Sequence, residues 1–516
     1  MRRRQFLRNS IAVGLGSMLI PRWLHPLLAR SDHLRDRGQN RILVILNLGG
    51  GNDGLNTVIP FEDDEYYNLR PTIAIPQNEL LTITETLGLH PAMAPLMDLW
   101  NDENMAIIQN VGYDQQDLSH FRSTDIWRSA SDVDQVISTG WVARYLETLY
   151  TGYVENPPEE PMALQQGSTD GLLLTGNEGV PGVIVDDPSI FYNLVNETYE
   201  SEYNNDPPET AGGDELSYVR QIDNNSFAYA GVIQAAAEAG QNTVEYPNNN
   251  VGTQLSIIAK LLSGGLYTPI FLTHHYGFDT HNNQLNDHNN LLTVMSNSIG
   301  SFFQDLENLG LKDRVVLLTT SEFGRRPFEN GSDGTDHGAG APQLLFGSKV
   351  KGGIYGSNPS LTDFDNNANL LHEFDFRQLY ATLMTQWFEL GQEEIENILF
   401  QPFETFSIID NRFSQVSYPS NKEAVLGIPQ DYDLSKAYPN PFNPNTRLHY
   451  AVKERGFVDI IIYDLKGRKI FHPVHEMKPA GFYNLNINGG NWASGTYLVK
   501  METKDFRQTR KMVLLK

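Results

Sequence analysis

The sequence predicts an α/β body built on a mostly parallel sheet sandwiched by helices, followed by a small C-terminal β-sandwich. Apolar runs of strand length at 41–48, 105–109, 182–185, 269–273, 314–319 and 343–346 are the first observation behind this, because strands buried on both faces read as near-continuous apolar stretches. Helical stretches fall between or after them at 91–100, 119–129, 217–239, 255–262, 284–309 and 376–390, and alternating strands and helices build parallel sheets. From about Tyr438 the pattern changes to short alternating strands at 458–463, 483–487 and 497–502, each bounded by Gly, Asn or Pro, as in sandwiches. The resulting division is 1–30 a signal peptide, 31–415 the α/β domain, 416–436 a linker and 437–516 the sandwich.

The amino-terminal segment runs Arg2-Arg3-Arg4-Gln5-Phe6-Leu7-Arg8, then an apolar run over 11–20, then Pro21 and a small-residue exit near Leu28-Ala29. That is the order of a signal peptide. Arg3-Arg4 followed by Gln5-Phe6-Leu7 resembles the twin-arginine consensus, which implies a translocase that carries folded proteins; an ordinary secretory signal with a basic start is the other reading. The apolar run is far shorter than the ~20 residues that span a bilayer, and no later run approaches that length, so no transmembrane helix is expected.

In parallel sheets ligands bind at the carboxyl ends of strands. Three predicted strand ends carry carboxylates or histidines. The first leads into Gly49-Gly50-Gly51-Asn52-Asp53-Gly54. The strand near Thr273 leads to His274, His275, Asp279 and His281, and the one near Thr320 to Ser321 and Glu322, with Asp336 and His337 a loop later. The chain has no cysteine, so these oxygen and nitrogen donors suit Zn, Mn, Mg or Ca. Taken singly each is weak, since an Asp after a glycine turn also caps helices. Ser119 precedes a predicted helix, where it is equally an N-cap or a nucleophile placed where backbone N–H groups favour an anion. Arg122 and Arg325 are forked donors matched to oxyanions, or ordinary salt-bridge partners.

Residues 49–56, Ser119-His120-Phe121-Arg122-Ser123, Phe278-Asp279-Thr280-His281-Asn282, Ser321-Glu322-Phe323-Gly324-Arg325-Arg326 and Gly334-Thr335-Asp336-His337-Gly338 together resemble domain-of-unknown-function family 1501, over roughly 41–415. That family belongs with the alkaline phosphatase and sulfatase superfamily. The resemblance therefore implies an alkaline phosphatase-like fold and metal-dependent ester hydrolysis. It implies metal-binding roles for Asp53, Asp279, His281, Glu322 and His337, with Asp336, His275 or water to complete the set, and a nucleophile role for Ser119 beside Arg122 and Arg325. Phe323 stands where the superfamily pattern has a further ligand, which departs from a full two-metal centre.

Loops at 204–208 and 211–214 suggest an insertion over the sheet between 150 and 250. At the other end, Tyr438-Pro439-Asn440-Pro441-Phe442-Asn443-Pro444, Ile462-Tyr463-Asp464 with Gly467-Arg468, Ser494-Gly495-Thr496-Tyr497 and Lys511-Met512 resemble the type A sorting domain of the type IX secretion system. The resemblance implies delivery to the cell surface or beyond by that machinery, after passage through the periplasm. That system is normally fed by the unfolded-chain route, so the route of export stays open between it and the twin-arginine translocase.

The net charge of −25 is uneven: residues 1–30 carry six arginines and no acid, 31–430 carry −37 and 431–516 carry +6. So acidic a body repels nucleic acid, and an anionic small-molecule or polymer substrate needs a local cation. No cysteine exists to become formylglycine, which disfavours sulfate esters and leaves phosphate-type esters as the expected substrates. The sequence thus reads as an exported metal-dependent hydrolase, with a non-catalytic surface or polymer-binding protein on the same fold as the alternative.

Overall fold

The computed structural model describes residues 41–150, 153, 157–167, 171–187, 229–410, 432–434, 437, 442, 444–478 and 481–515. The expected signal peptide, most of the expected linker, residues 217–228 of the expected helix and the loops at 204–214 lie outside the described residues. Two compact units lie within 1–412 and 413–516.

The first unit is built on a nine-stranded sheet. Its strands are β1 (Ile42–Gly49), β2 (Met105–Gly112), β3 (Ala163–Gln165), β4 (Gly182–Ile184), β5 (Ile270–Tyr276), β6 (Val315–Thr320), β7 (Ala341–Phe346), β8 (Gly353–Tyr355) and β9 (Phe374–Asp375). The order is β8-β2-β7-β6-β1-β5-β3-β4, with β9 beside β2. All pairs are parallel except those of β7, which runs antiparallel to both β2 and β6. The fold class expected from the sequence is therefore the one found. Strands β3, β8 and β9, of two or three residues each, were not expected.

The central strand β1 has neighbours on both sides and helices on both faces. Val44, Leu46 and Leu48 share a cluster with Leu255, Ile258 and Leu262 of α3 (Asn250–Ser263) and Leu292, Met295, Ile299 and Phe302 of α4 (Gln284–Asn308). Ile45, on the opposite face, lines a pocket with Trp127 of α1 (His120–Ser129), Trp141 of α2 (Trp141–Leu149) and Tyr380 of α5 (Phe376–Thr382). Each such side chain contributes about 1.5–3 kcal/mol through burial. Trp141 and Tyr380 stack at 4.2 Å between ring centroids.

Helix ends differ from expectation for local reasons. α3 starts five residues before the apolar stretch because Asn249 caps it, accepting the Gly252 N–H at 2.8 Å. Over 91–100 the chain is a 3-10 turn, Pro91–Leu96, before it becomes α-helical at Met97–Asn101. Pro95 sits inside the 3-10 segment and lacks the N–H an α-helix needs. The helix expected over 376–390 widens to a π-turn at Leu383–Trp387.

Register decides the site. Leu46 lies between Thr273 of β5 and Thr319 of β6, and Asn47 between His274 and Thr320, so the three strands end at one edge. The loops beginning at Gly50, Gly277 and Ser321 therefore meet.

The second unit is antiparallel, as expected. One sheet is β10 (Asp433–Leu434), β11 (Asn445–Val452) and β14 (Gly481–Asn488); the other is β13-β12-β15-β16, from Lys469–Lys478, Gly456–Asp464, Gly495–Glu502 and Arg507–Leu514. Leu448, Tyr450, Leu485 and Ile487 pack with Val458, Ile460, Ile462, Val499 and Met512 in one core, which makes a sandwich. Strand β10 falls inside the expected linker.

Candidate metal centre

Glycine at 50 and 51 lets the β1 loop turn back across the sheet edge. Both residues have positive φ, at 122° and 81°. A Cβ on Gly50 would stand 2.4 Å from the Asp279 nitrogen, and one on Gly51 would stand 2.4 Å from the Phe323 ring. Close approach is what permits Arg325, whose side chain is fully buried, to bind this loop. It donates to the carbonyls of Gly50, Gly51, Phe278 and Thr335 and, at 2.6 Å, to Asp279 Oδ1. Burial pushes the Asp279 carboxyl up, but the hydrogen bond and charge of Arg325 lead the effects that outweigh it and hold it at about 2.

Around Asp279 stand three histidines, each with its ring fixed from behind. His337 Nδ1 donates to the Leu118 carbonyl at 2.8 Å, and its Nε2 lies 3.0 Å from Asp279 Oδ1. His281 Nδ1 faces Asp336 Oδ1 at 3.2 Å, and its Nε2 lies 3.1 Å from Asp279 Oδ1. His120 Nδ1 faces Glu322 Oε1 at 2.8 Å, and its Nε2 lies 3.4 Å from Asp279 Oδ2. The Nδ1 partners are oxygen acceptors, so Nδ1 carries the proton in the neutral ring and Nε2 presents a lone pair. Two such nitrogens, on His281 and His337, are 3.0 Å apart. Lone pairs crowded this closely against a carboxylate repel unless a cation lies among them, and an outer ring of carboxylates and a carbonyl is how proteins orient metal-binding imidazoles. His120, Asp279 and His337 can offer ligand atoms all within 4.8 Å of one another. The residues present thus fit a divalent cation. Phe323 forms an apolar wall, its ring 4.8 Å from His120 and 4.6 Å from His337. The His120 pKa is raised, chiefly by its bond to Glu322, whereas burial lowers that of His337.

The expected site residues fall into three groups. Asp279, His281 and His337 converge. Glu322 and Asp336, expected as ligands, instead stand behind His120 and His281. Glu322 is also the acceptor of the Gly50 N–H at 2.9 Å, so its Oε1 is taken by the scaffold. Asp53 does not join the cluster contacts. It is fully buried, accepts the N–H groups of Leu55 and Asn56, and pairs with Arg70 Nη1 at 2.7 Å. Burial opposes its ionisation, but Arg70 keeps its pKa below the usual value. Arg70 also donates to the Arg326 and Pro327 carbonyls, tying the β1 loop to the segment leading to His337.

The expected oxyanion clamps are spent on the protein itself. Arg122 Nη2 donates to the carbonyls of Asp132, Val133 and Gln135, and Arg325 is enclosed as described. Ser119 is the N-cap residue of α1 by position, yet its side chain makes no capping bond and is exposed. The residue of this cluster that sequence reasoning missed is His120. It sits inside the motif at 119–123, next to the serine that drew attention, and nothing local distinguishes it from a surface histidine. Arg70 was missed as well, lying in no motif.

Glu322→Gln is expected to weaken zinc binding by about 10–100-fold while leaving the fold intact, the usual effect of losing an outer-ring partner. Zinc titration monitored by calorimetry measures it, and an unchanged affinity would remove Glu322 from this role.

Residues 224–399 match the family described as protein of unknown function, DUF1501, and residues 436–515 match the secretion system C-terminal sorting domain. The chain carries a DUF1501 region and a secretion sorting domain. The DUF1501 region contains Asp279, His281, Glu322, Arg325, Asp336 and His337, whereas Asp53, Ser119 and His120 precede it. The sorting domain points to export and the cell surface through the secretion machinery. No curated protein matches. Among solved structures, an alkaline phosphatase superfamily protein from Vibrio parahaemolyticus is similar, at 11% identity and TM-score 0.33, over 86% of this chain and 82% of its own. A sulfatase from Pseudoalteromonas sp. is similar at 12% identity and TM-score 0.30, over 91% and 88%. An alkaline phosphatase from the Antarctic bacterium TAB5 is similar at 10% identity and TM-score 0.25, over 61% and 94%. Among the described residues, no helix is long and apolar enough to cross a membrane.

Proposed function

We propose that the first unit, which includes the DUF1501 region, is an exported, metal-dependent hydrolase of phosphate-type esters, with one divalent cation held by His120, Asp279, His281 and His337. The convergence of three imidazole nitrogens on the Asp279 carboxylate carries this reading. Imidazole-rich donors favour zinc over magnesium or calcium. A bound divalent cation supplies Lewis acidity, offsetting charge on an anionic ester. The pairing of Asp53 with Arg70 and the ring of Phe323 argue for a single ion rather than two. Arg325 fixes Asp279, Glu322 fixes His120, and Leu118 fixes His337, so the chain holds the donors in place before substrate arrives. Ser119 presents its hydroxyl at the first turn of α1, one residue from His120, where the exposed N–H groups of a ten-residue helix favour an anion.

A non-catalytic, cation-dependent surface protein is favoured by one observation: neither Arg122 nor Arg325 is free to clamp an oxyanion. Assays of the zinc-loaded protein on nitrophenyl phosphate, a phosphodiester and a sulfate ester separate the two readings. Turnover of a phosphate ester, abolished by chelation and restored by zinc, is expected. Ser119→Ala should then eliminate turnover if the hydroxyl attacks and spare it if water does. Zinc bound at one equivalent without turnover of any ester would leave the binding reading.

A further inference from the structure

We propose a second divalent-cation site on the outer face of the sorting domain, formed by Asp459, His472 and His475 and suited to zinc, nickel or copper. Asp459 lies on β12 and is the register partner of His475 on β13, so their side chains share a face. His472 is three residues from His475 and by simple alternation would point to the opposite face, beside the buried Val474. The register between β12 and β13 shifts between Ile460 and Ile462, where Val474 and Phe471 are the partners. That bulge puts an extra residue on β13 and turns His472 outward, the re-aiming that bulges produce. Asp459 Oδ1 consequently meets His472 Nε2 at 2.5 Å and His475 Nδ1 at 2.7 Å, with the imidazole rings 4.7 Å apart. The candidate ligand atoms lie within 4.8 Å of one another. Two imidazoles and one carboxylate are donors for a borderline transition metal and leave its remaining positions to water.

The geometry also shows what competes with the ion. Lys469 Nζ approaches His472 Nδ1 at 2.6 Å, which keeps the imidazole proton on Nε2, facing Asp459. Zinc requires that proton on Nδ1 instead, so Lys469, which is exposed, must swing away. His475 needs only to carry its proton on Nε2. Lys469 therefore weakens the site rather than building it.

The test is equilibrium dialysis of the full chain against zinc, with nitrophenyl phosphate turnover as the reporter for the DUF1501 region. His472→Ala and His475→Gln are each expected to lose the same one equivalent of zinc, with unchanged circular dichroism and unchanged turnover. Lys469→Ala is expected to tighten that equivalent by roughly 2–5-fold, the size of one exposed charge interaction. Zinc isotherms identical in wild type and both histidine variants overturn the proposal, and so does an isotherm that Lys469→Ala leaves unmoved. Loss of the other equivalent, on changing residues of the DUF1501 region, bears on the first site alone.

Discussion

Asp279→Asn and His337→Ala should each abolish the zinc equivalent proposed for the first unit and take the proposed ester hydrolysis with it. The loss should lie well beyond the ~10–100-fold expected for changing a residue behind a ligand. Asp279 meets all three histidines, and converting its carboxylate to an amide removes the charge while preserving shape. The side chains are 45% and 23% exposed, so neither change empties the core, and circular dichroism should show native folds. Metal analysis by mass spectrometry, read beside turnover, checks this. Full zinc occupancy in both variants would sink the proposed centre. Acidification should release the ion because protons compete for the imidazole lone pairs. His120 protonates at higher pH than His337, since its bond to Glu322 raises its pKa whereas burial lowers that of His337.

Asp53→Ala should destabilise the first unit by about 3–5 kcal/mol, because it strands the fully buried Arg70 without its counter-charge. Urea denaturation measures it. Pairing the change with Arg70→Met should recover much of the loss, since replacing both partners of a buried pair with apolar groups is often close to neutral. An Asp53→Ala variant as stable as wild type would show that the pair contributes nothing. The same ion pair sets an acid limit. The folded Asp53 pKa lies below its ordinary value of 3.8, so its contribution is complete above that pH and is lost as the pH falls through the folded value. A substitution that removes Asp53 should therefore flatten the steepest part of the acid unfolding curve.

The contrast between these two aspartates shows how far sequence reaches. Both stand in loops at the carboxyl ends of parallel strands, and the sequence resemblance implies a metal-binding role for both. Pattern alone gives them the same role. In the fold, Arg70 comes to Asp53 from a segment with no motif, whereas Asp279 faces imidazoles from three separate segments. Glu322 illustrates the same limit. Its place after β6 is as expected, but His120 arrives between it and the site, and the carboxylate becomes a support.

The sequence by itself determined the alternating strands and helices, the antiparallel sorting domain, the acidic body and the residue types available for chemistry. These depend on period, length and composition, which are local properties. Only the tertiary structure decided which side chains meet. A histidine ring is poised to bind a cation when a second group fixes Nδ1 and leaves Nε2 facing a shared point, and here those second groups come from residues 118, 322 and 336. Loop convergence of that kind follows from the parallel register of β1, β5 and β6 and from two glycines that let backbone and Phe323 approach closely. No spacing along the chain encodes it.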